Sequence, residues 1–218
     1  MKILIVSATQ MEVQSLLDKM ESVRHSTEKI IFSRYKNHEI NFLVTGIGMV
    51  ATAYFTAKTL CNNYDIAFNV GICGSFSKSL EIGSVINCVQ EHFSELGAED
   101  GEHFLSLKDL NLDGNSEIMN ESIIKNNILE LIPKVCGITV NTTHGEETSI
   151  EKVFQRFHPM IESMEGGAFL FACEQEKIPC AQIRAVSNYV ERRNKENWNI
   201  PLAIKNVNEK MLKILNAF

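Results

Sequence analysis

The chain has 218 residues, 44% of them hydrophobic and 22% charged, which is ordinary for a folded domain and enough to bury a core. Its net charge is −6 and no long basic run occurs, which argues against nucleic acid or an anionic membrane surface as the main partner. No apolar run reaches the roughly 20 residues of a membrane span, so a single cytoplasmic domain over residues 1–218 is expected.

Met1 to Val6 is apolar like a short signal peptide, but the run ends at Ser7 with no cleavage-like site after it. Lys2 to Ser7 therefore reads as a strand buried on both faces. Ala8-Thr9-Gln10 makes a turn, and Met11, Val13, Leu16, Leu17 and Met20 then recur at helical spacing. Glu12 falls in the first turn of that helix, where an acid complements the helix dipole. Residues 29–35 and 39–45 read as a hairpin around Asn37-His38. Gly46-Ile47-Gly48 leads into a helical run with Met49, Ala53, Ala57 and Leu60 on one face. The two glycines make either a tight turn or a stretch whose N–H groups are open to an anion or a sugar.

Residues 66–70 form a buried strand that is expected to stop at a second glycine turn, Gly71-Ile72-Cys73-Gly74-Ser75. Strand character returns at 85–89, and residues 91–115 read as a polar, irregular surface excursion. A helix is expected over 117–131, closed by Pro133, then a strand over 137–142, a polar loop over 143–147 and a short helix over 150–157. At Ser163-Met164-Glu165-Gly166-Gly167-Ala168 a strand gives way to a helix, with a carboxylate and two glycines at the junction. Strand ends are where ligands bind in open α/β sheets, although Glu165 could equally serve the helix dipole. Residues 180–187 form an apolar strand interrupted by Arg184, which needs a partner if buried. Asn188-Tyr189 and a charged loop with the only tryptophan, Trp198, follow, and Pro201 opens a final amphipathic helix. The six cysteines form no CxxC pair and have no zinc spacing with histidine, so buried free thiols and no metal are expected.

Five strand-end motifs stand in order: Ala8-x-x-Met11-Glu12-Val13, Gly46-Ile47-Gly48, Gly71-x-x-Gly74, Met164-Glu165-Gly166 and Arg184-Ala185-Val186-Ser187-Asn188. This set resembles the nucleoside phosphorylase/nucleosidase family over essentially the whole chain, most closely the branch of methylthioadenosine/S-adenosylhomocysteine nucleosidases and futalosine hydrolases. The resemblance implies a three-layer α/β/α fold around a central twisted mixed sheet, no cofactor, and cleavage of the N-glycosidic bond of a small purine nucleoside. It also implies a homo-oligomer, a dimer or larger, in which a neighbour can complete the pocket.

By the same resemblance, Glu12 activates the nucleophilic water with Arg184 nearby. Glu165 holds the ribose hydroxyls, Met164 packs beside the sugar, and Asn188 contacts N7 of the base. Gly48 and Gly71 belong to the strand-end turns that meet the substrate, Cys73 and Ser75 line the sugar side through their backbone, and His144 is a candidate for lining the base. Two positions depart from the adenine nucleosidases and the phosphorylases. Asn188 stands where adenine-specific members carry Asp. An amide can donate to a 6-oxo group and accept from N7–H, a pattern that suits hypoxanthine. Asn69 stands where hexameric phosphorylases carry a phosphate-binding Arg, and Glu12 would repel an anion there, so water is the better nucleophile. Both features point within the branch to the futalosine hydrolases, as does the run from Asn188 to Trp198; an adenine-releasing methylthioadenosine nucleosidase is the alternative. The substrate carboxylate implied by that choice should meet a cation, with Arg192, Arg193 and Arg34 as candidates.

Overall fold

The computed structural model of the chain describes residues 1–25 and 29–218. Its strands are β1 (Lys2–Ser7), β2 (Ser22–His25), β3 (Ile30–Tyr35), β4 (His38–Val44), β5 (Ile66–Ser75), β6 (Val85–Phe93), β7 (Gly97–Asp100), β8 (His103–Ser106), β9 (Glu117–Met119), β10 (Lys134–Thr139), β11 (Ile161–Ser163) and β12 (Cys180–Tyr189). Its helices are α1 (Gln14–Leu17), α2 (Met49–Leu60), α3 (Asn127–Glu130), α4 (Glu147–Phe157), α5 (Gly166–Glu176) and α6 (Ile200–Asn216). Ten of the strands join one mixed sheet in the order β11-β10-β6-β12-β5-β1-β4-β3-β2, with β9 on β6. β11 also pairs antiparallel with β5, so β5, β12, β6, β10 and β11 close on themselves. β7 and β8 form a separate hairpin.

Two helical layers cover the sheet, as the alternation of β1 requires. Ile3 and Ile5 face α1, α3 and α6 through Leu16, Leu129, Val207, Met211 and Ile214. Leu4 and Val6 face α2 and α5 through Leu60, Phe169, Leu170 and Cys173. The expected α/β/α layering is present.

Several local expectations differ from what forms. The apolar run after Glu12 yields a 3-10 turn (Gln10–Glu12) and only four α-helical residues. The buried stripe of α2 is Thr52, Thr56, Thr59 and Leu60, not the Met49/Ala53/Ala57 face, and Val50 and Tyr54 are exposed. The presumed turn at Gly71–Ser75 is continuous strand, because β12 pairs with β5 as far as Tyr189 and Ser75. The helix expected over 117–131 is instead strand β9 followed by the short α3. Ile118 alternates with exposed Glu117 and Met119, and the three residues pair with Gln90, Glu91 and His92. Asn126 caps α3 by accepting from the N–H groups of Ile128 and Leu129. Within 91–115 the chain is more regular than its composition suggests, since β6 continues to Phe93 and the β7–β8 hairpin follows.

The junction at Gly166 is tightly packed. A Cβ there would lie 2.3 Å from Oε1 of Glu91 and 2.2 Å from Nε2 of Gln182. Glu91 is fully buried and accepts from Gln182 at 2.8 Å and from Thr139 at 3.0 Å. Gly166→Ala must therefore displace a satisfied buried carboxylate. It is expected to lower stability by about 2 kcal/mol or more, within the range for overpacked interiors, as read by the shift of a urea unfolding midpoint.

Candidate active site

A cavity of about 400 Å³ opens along the ends of β1, β5, β11 and β12 and is lined by Glu12, Met164, Glu165, Cys73, Asn188 and others named below. Its floor is β5. Ile72, Cys73 and Gly74 line it, whereas Gly71, three residues and so about 10 Å back along the strand from Gly74, lies beneath Arg184 and Glu12 and does not itself meet the cavity, which corrects the expectation that it touches the substrate.

At the Gly71 end, a Cβ on Gly71 would lie 2.4 Å from Nη1 of Arg184 and 2.7 Å from Oε1 of Glu12. Only glycine lets both side chains close over β5 at this point. Glu12 is 6% exposed. Its Oε2 accepts from the backbone N–H of Thr9 at 2.9 Å and the Thr9 hydroxyl at 3.0 Å, and its Oε1 accepts from the N–H of Ile72 at 3.3 Å. Burial raises the pKa of Glu12 above the usual carboxylate value, and Arg184 and the Thr9 hydrogen bonds offset this only in part. The result is a carboxylate held rigidly at three points and more basic than a solvated one.

Arg184 is 1% exposed, and the partner that a buried arginine needs is present in triplicate. Nη2 donates to Oδ1 of Asn69, Nη1 donates to the carbonyl of Ile72 at 3.5 Å, and Nη1 stands 3.7 Å from Oε2 of Glu165. Removing either member of the Arg184–Glu165 pair would strand the other charge in the interior, at about 3–5 kcal/mol. Asn69 is fully buried, spends its amide on Val6 at 3.0 Å and on Arg184, and does not face the cavity.

Glu165 occupies the N-cap position of α5 but makes no capping bond to its own helix. The first N–H groups of α5 are taken by others: Gly166 donates to Ser163 Oγ at 3.2 Å and Gly167 to Thr139 Oγ1 at 2.7 Å. Glu165 therefore does not serve as the helix's hydrogen-bonding cap, and its carboxylate is turned to the cavity. Oε1 accepts from the Gly48 N–H at 3.0 Å. Of the two readings of Gly46-Ile47-Gly48, the tight turn holds at Gly48, whose N–H is spent on Glu165, so Gly48 places that carboxylate and does not line the cavity as a substrate contact. Gly48 adopts φ +97°, a conformation that favours glycine. Ile47, between the two glycines, is the residue of this stretch that lines the cavity.

At the Gly74 end, the pairing of β12 with β5 skips a residue, with Val186 opposite Cys73 and Asn188 opposite Gly74. Such an irregularity re-aims a side chain, and here it brings Ser187 and Asn188 to the cavity together. The Ser187 hydroxyl lies 2.7 Å from Oδ1 of Asn188, and Nδ2 of Asn188 donates to the carbonyl of Tyr189 at 2.9 Å. The Ser187 hydroxyl, also 3.1 Å from the carbonyl of Cys73, can donate or accept, so it is the Tyr189 carbonyl, which only accepts, that fixes which end of the amide is which, leaving one N–H of Nδ2 and one lone pair of Oδ1. Cys73 lines the cavity, but burial pushes its thiol up to about 12, so it is no thiolate nucleophile.

The remaining candidates separate. Arg193 reaches the cavity mouth, its guanidinium 4.8 Å from the ring centroid of Trp198. Arg192 lines a neighbouring crevice with Phe76, Ile150 and Phe154. Arg34 is exposed on β3, in register with Ser22 and Glu39, and does not line the cavity. His144 lines the cavity, with Nδ1 2.7 Å from Oε2 of Glu162. Sequence reasoning missed Thr9, Ser187 and Glu162. Thr9-x-x-Glu12 carries the spacing of a capping box, the signal that could have found Thr9. Glu162 carried no such signal.

The chain resembles known proteins along its length. A family model described as "Phosphorylase superfamily" matches residues 2–218. The chain is 25% identical over 212 residues to a futalosine hydrolase of Acidothermus cellulolyticus, covering 94% of this chain and 86% of that protein. It is 24% identical over 201 residues to an aminodeoxyfutalosine nucleosidase of Campylobacter jejuni, covering 86% of each. The solved structure of a futalosine hydrolase of Helicobacter pylori superposes with a TM-score of 0.84 at 16% identity, over 100% of this chain and 98% of that one.

Proposed function

The chain belongs to the phosphorylase superfamily, and from that premise we propose that it is a futalosine hydrolase. In this reading a single domain over residues 1–218 cleaves the N-glycosidic bond of futalosine with water, releasing hypoxanthine and dehypoxanthine futalosine in cytoplasmic menaquinone biosynthesis. One observation carries the proposal: a single cavity holds a buried, basic carboxylate, Glu12, at one end and a fixed amide, Asn188, at the other.

Glu12 takes a proton from water, whose oxygen attacks C1′ as the bond to N9 breaks. The electron pair leaves with the base, which takes up a proton at N7 from solvent, and Glu12 afterwards returns the proton it took from water to solvent. Glu165 accepts from the ribose 2′- and 3′-hydroxyls and, with Glu12, favours the positive charge that develops on the sugar. Met164 packs on the sugar. Asn188 accepts from the N7–H of the departing base and donates its remaining amide hydrogen to the 6-oxo group. Arg184 holds Glu165 in place, and Arg193 over Trp198 receives the carboxylate of the substrate tail at the mouth. Phosphate finds no free cation at Asn69, and Glu12 repels it.

A homo-oligomer belongs to the same reading. Ile47, Val50 and Tyr54, which are 65%, 83% and 59% exposed, form an apolar face at helical spacing beside the cavity rim. A second copy of the chain covering that face would close the cavity from the Ile47 side.

The test is to incubate the protein with futalosine, aminodeoxyfutalosine, methylthioadenosine and inosine and identify the base released. Hypoxanthine from futalosine, at least about tenfold faster than any base from the others, is the expected result. Fast adenine release from methylthioadenosine would overturn it.

A further inference from the structure

Glu162 is a buried carboxylate in the cavity for which the reaction above has no use. It is 4% exposed, lies on β11 and stands opposite Gly74 in the pairing with β5. Asn188 stands opposite the same Gly74 from β12. A Cβ on Gly74 would lie 3.4 Å from Nδ2 of Asn188 and 3.4 Å from Cγ of Glu162, so the two side chains converge on one point of the cavity floor.

A carboxylate in that position must be matched. Part of the match comes from His144, whose backbone N–H donates to Oε1 at 3.1 Å and lies 3.3 Å from Oε2, and whose ring Nδ1 is 2.7 Å from Oε2. Facing a carboxylate, Nδ1 carries the hydrogen. Those donors use up to three of the roughly four lone-pair sites of the carboxylate. What remains is an acceptor beside Asn188, fixed in direction by two bonds from one residue. Two positions on the edge of hypoxanthine or adenine need partners next to N7: the 6-substituent and N1. In a 6-oxopurine N1 carries a hydrogen and donates, whereas in a 6-aminopurine N1 presents a lone pair.

We infer that Glu162, held by His144, accepts from the N1–H of a 6-oxopurine and, together with Asn188, reads the base as hypoxanthine rather than adenine. This rests on the 6-oxopurine reading of the site given above. Asn188 alone cannot settle the choice, because an amide turned over would serve a 6-amino group as well. The bond to the Tyr189 carbonyl opposes that flip, and Glu162 adds a contact that no rotation can convert. An ionised carboxylate only accepts, and set against the N1 lone pair of adenine it would repel. A site built around a buried hydrogen-bonding group rejects the analogue that cannot satisfy it far more strongly than a difference of shape would.

The test is equilibrium binding of free bases, which needs no turnover: hypoxanthine, 1-methylhypoxanthine and adenine, against the wild-type protein, Glu162→Gln and Glu162→Ala. The wild type is expected to bind hypoxanthine at least about tenfold tighter than either other base. In Glu162→Ala the preference over 1-methylhypoxanthine should fall to within about threefold, and in Glu162→Gln, whose amide can donate to N1, adenine should gain most. A folded variant that keeps the wild-type ratios would overturn the role of Glu162 while leaving the 6-oxopurine reading intact. A wild type that binds 1-methylhypoxanthine as well as hypoxanthine would overturn it without any variant. A wild type that binds adenine tighter than hypoxanthine, and releases adenine from substrates, would instead overturn the 6-oxopurine reading itself.

Discussion

Glu12→Gln is expected to lower kcat by at least about 10³-fold while leaving the binding of futalosine within about threefold of wild type. The substitution is isosteric. Gln can keep its carbonyl oxygen where Oε2 of Glu12 accepts from the Thr9 N–H and hydroxyl, so the 3-10 turn keeps its contacts, and it gives up only the longer 3.3 Å bond from the Ile72 N–H to Oε1. What it loses is the capacity to take a proton. The same reasoning fixes the pH dependence. The folded-state pKa of Glu12 is raised by burial, so its ionised form is lost on acidification at a higher pH than for a solvated carboxylate. Wild-type kcat should therefore fall on the acid side with a midpoint above the ordinary glutamate value of about 4.3. The linkage has the matching sign. A glutamate with a raised folded pKa stabilises the fold fully below its unfolded pKa, and that contribution is lost as pH rises through the folded value. Glu12 thus serves chemistry at a cost in stability near neutrality, and Glu12→Gln should not lower the thermal midpoint at pH 7. Near-normal turnover in Glu12→Gln would show that another group activates the water.

Asn188→Asp carries the second large effect. An ionised Asp cannot donate to a 6-oxo group, whereas a protonated Asp can give N7 a full proton and accept from a 6-amino group. The Ser187 hydroxyl can serve either residue, while the bond that the amide donates to the Tyr189 carbonyl is lost in the variant. The ratio of kcat/KM for futalosine to that for aminodeoxyfutalosine is expected to fall by at least about 30-fold, mostly through a slower 6-oxo reaction. An unchanged ratio would refute the account of base choice at this position.

How far the sequence alone leads can be judged at particular residues. The unbroken apolar run of β1 and the amphipathic pattern of α6 are legible, because burial on two faces and on one face leave different periods. The segment over 117–131 misleads, because its pairing partner β6 lies about 27 residues away and the three-residue alternation of Glu117-Ile118-Met119 is too short to outweigh a helix-like composition. The glycines at 71 and 74 look like a turn, but they are strand positions stripped of side chains so that Arg184, Glu12, Asn188 and Glu162 can close over the floor. That requirement is tertiary and leaves no local trace. Within the site, Glu12, Glu165, Arg184 and Asn188 could be picked out by their places at strand ends, and the structure brings Glu12, Glu165 and Asn188 to one cavity while Arg184 is buried beside it against Glu165. Glu162 could not, because an acid between Ile161 and Ser163 looks like any surface acid until β11 is seen to pair with β5. The loop arginines were indistinguishable in sequence for a similar reason. Only the fold puts Arg193 on Trp198 at the mouth and Arg192 in the next crevice.

The central claim is hydrolysis of a 6-oxopurine nucleoside, and one measurement tests it most directly. Futalosine is incubated with the protein in ¹⁸O-labelled water containing excess phosphate, and both products are identified by mass. The account predicts hypoxanthine together with a sugar product that carries one ¹⁸O at its anomeric hydroxyl, at a rate independent of phosphate. A sugar 1-phosphate, or no cleavage of futalosine under conditions where an adenine nucleoside is cleaved, would contradict it.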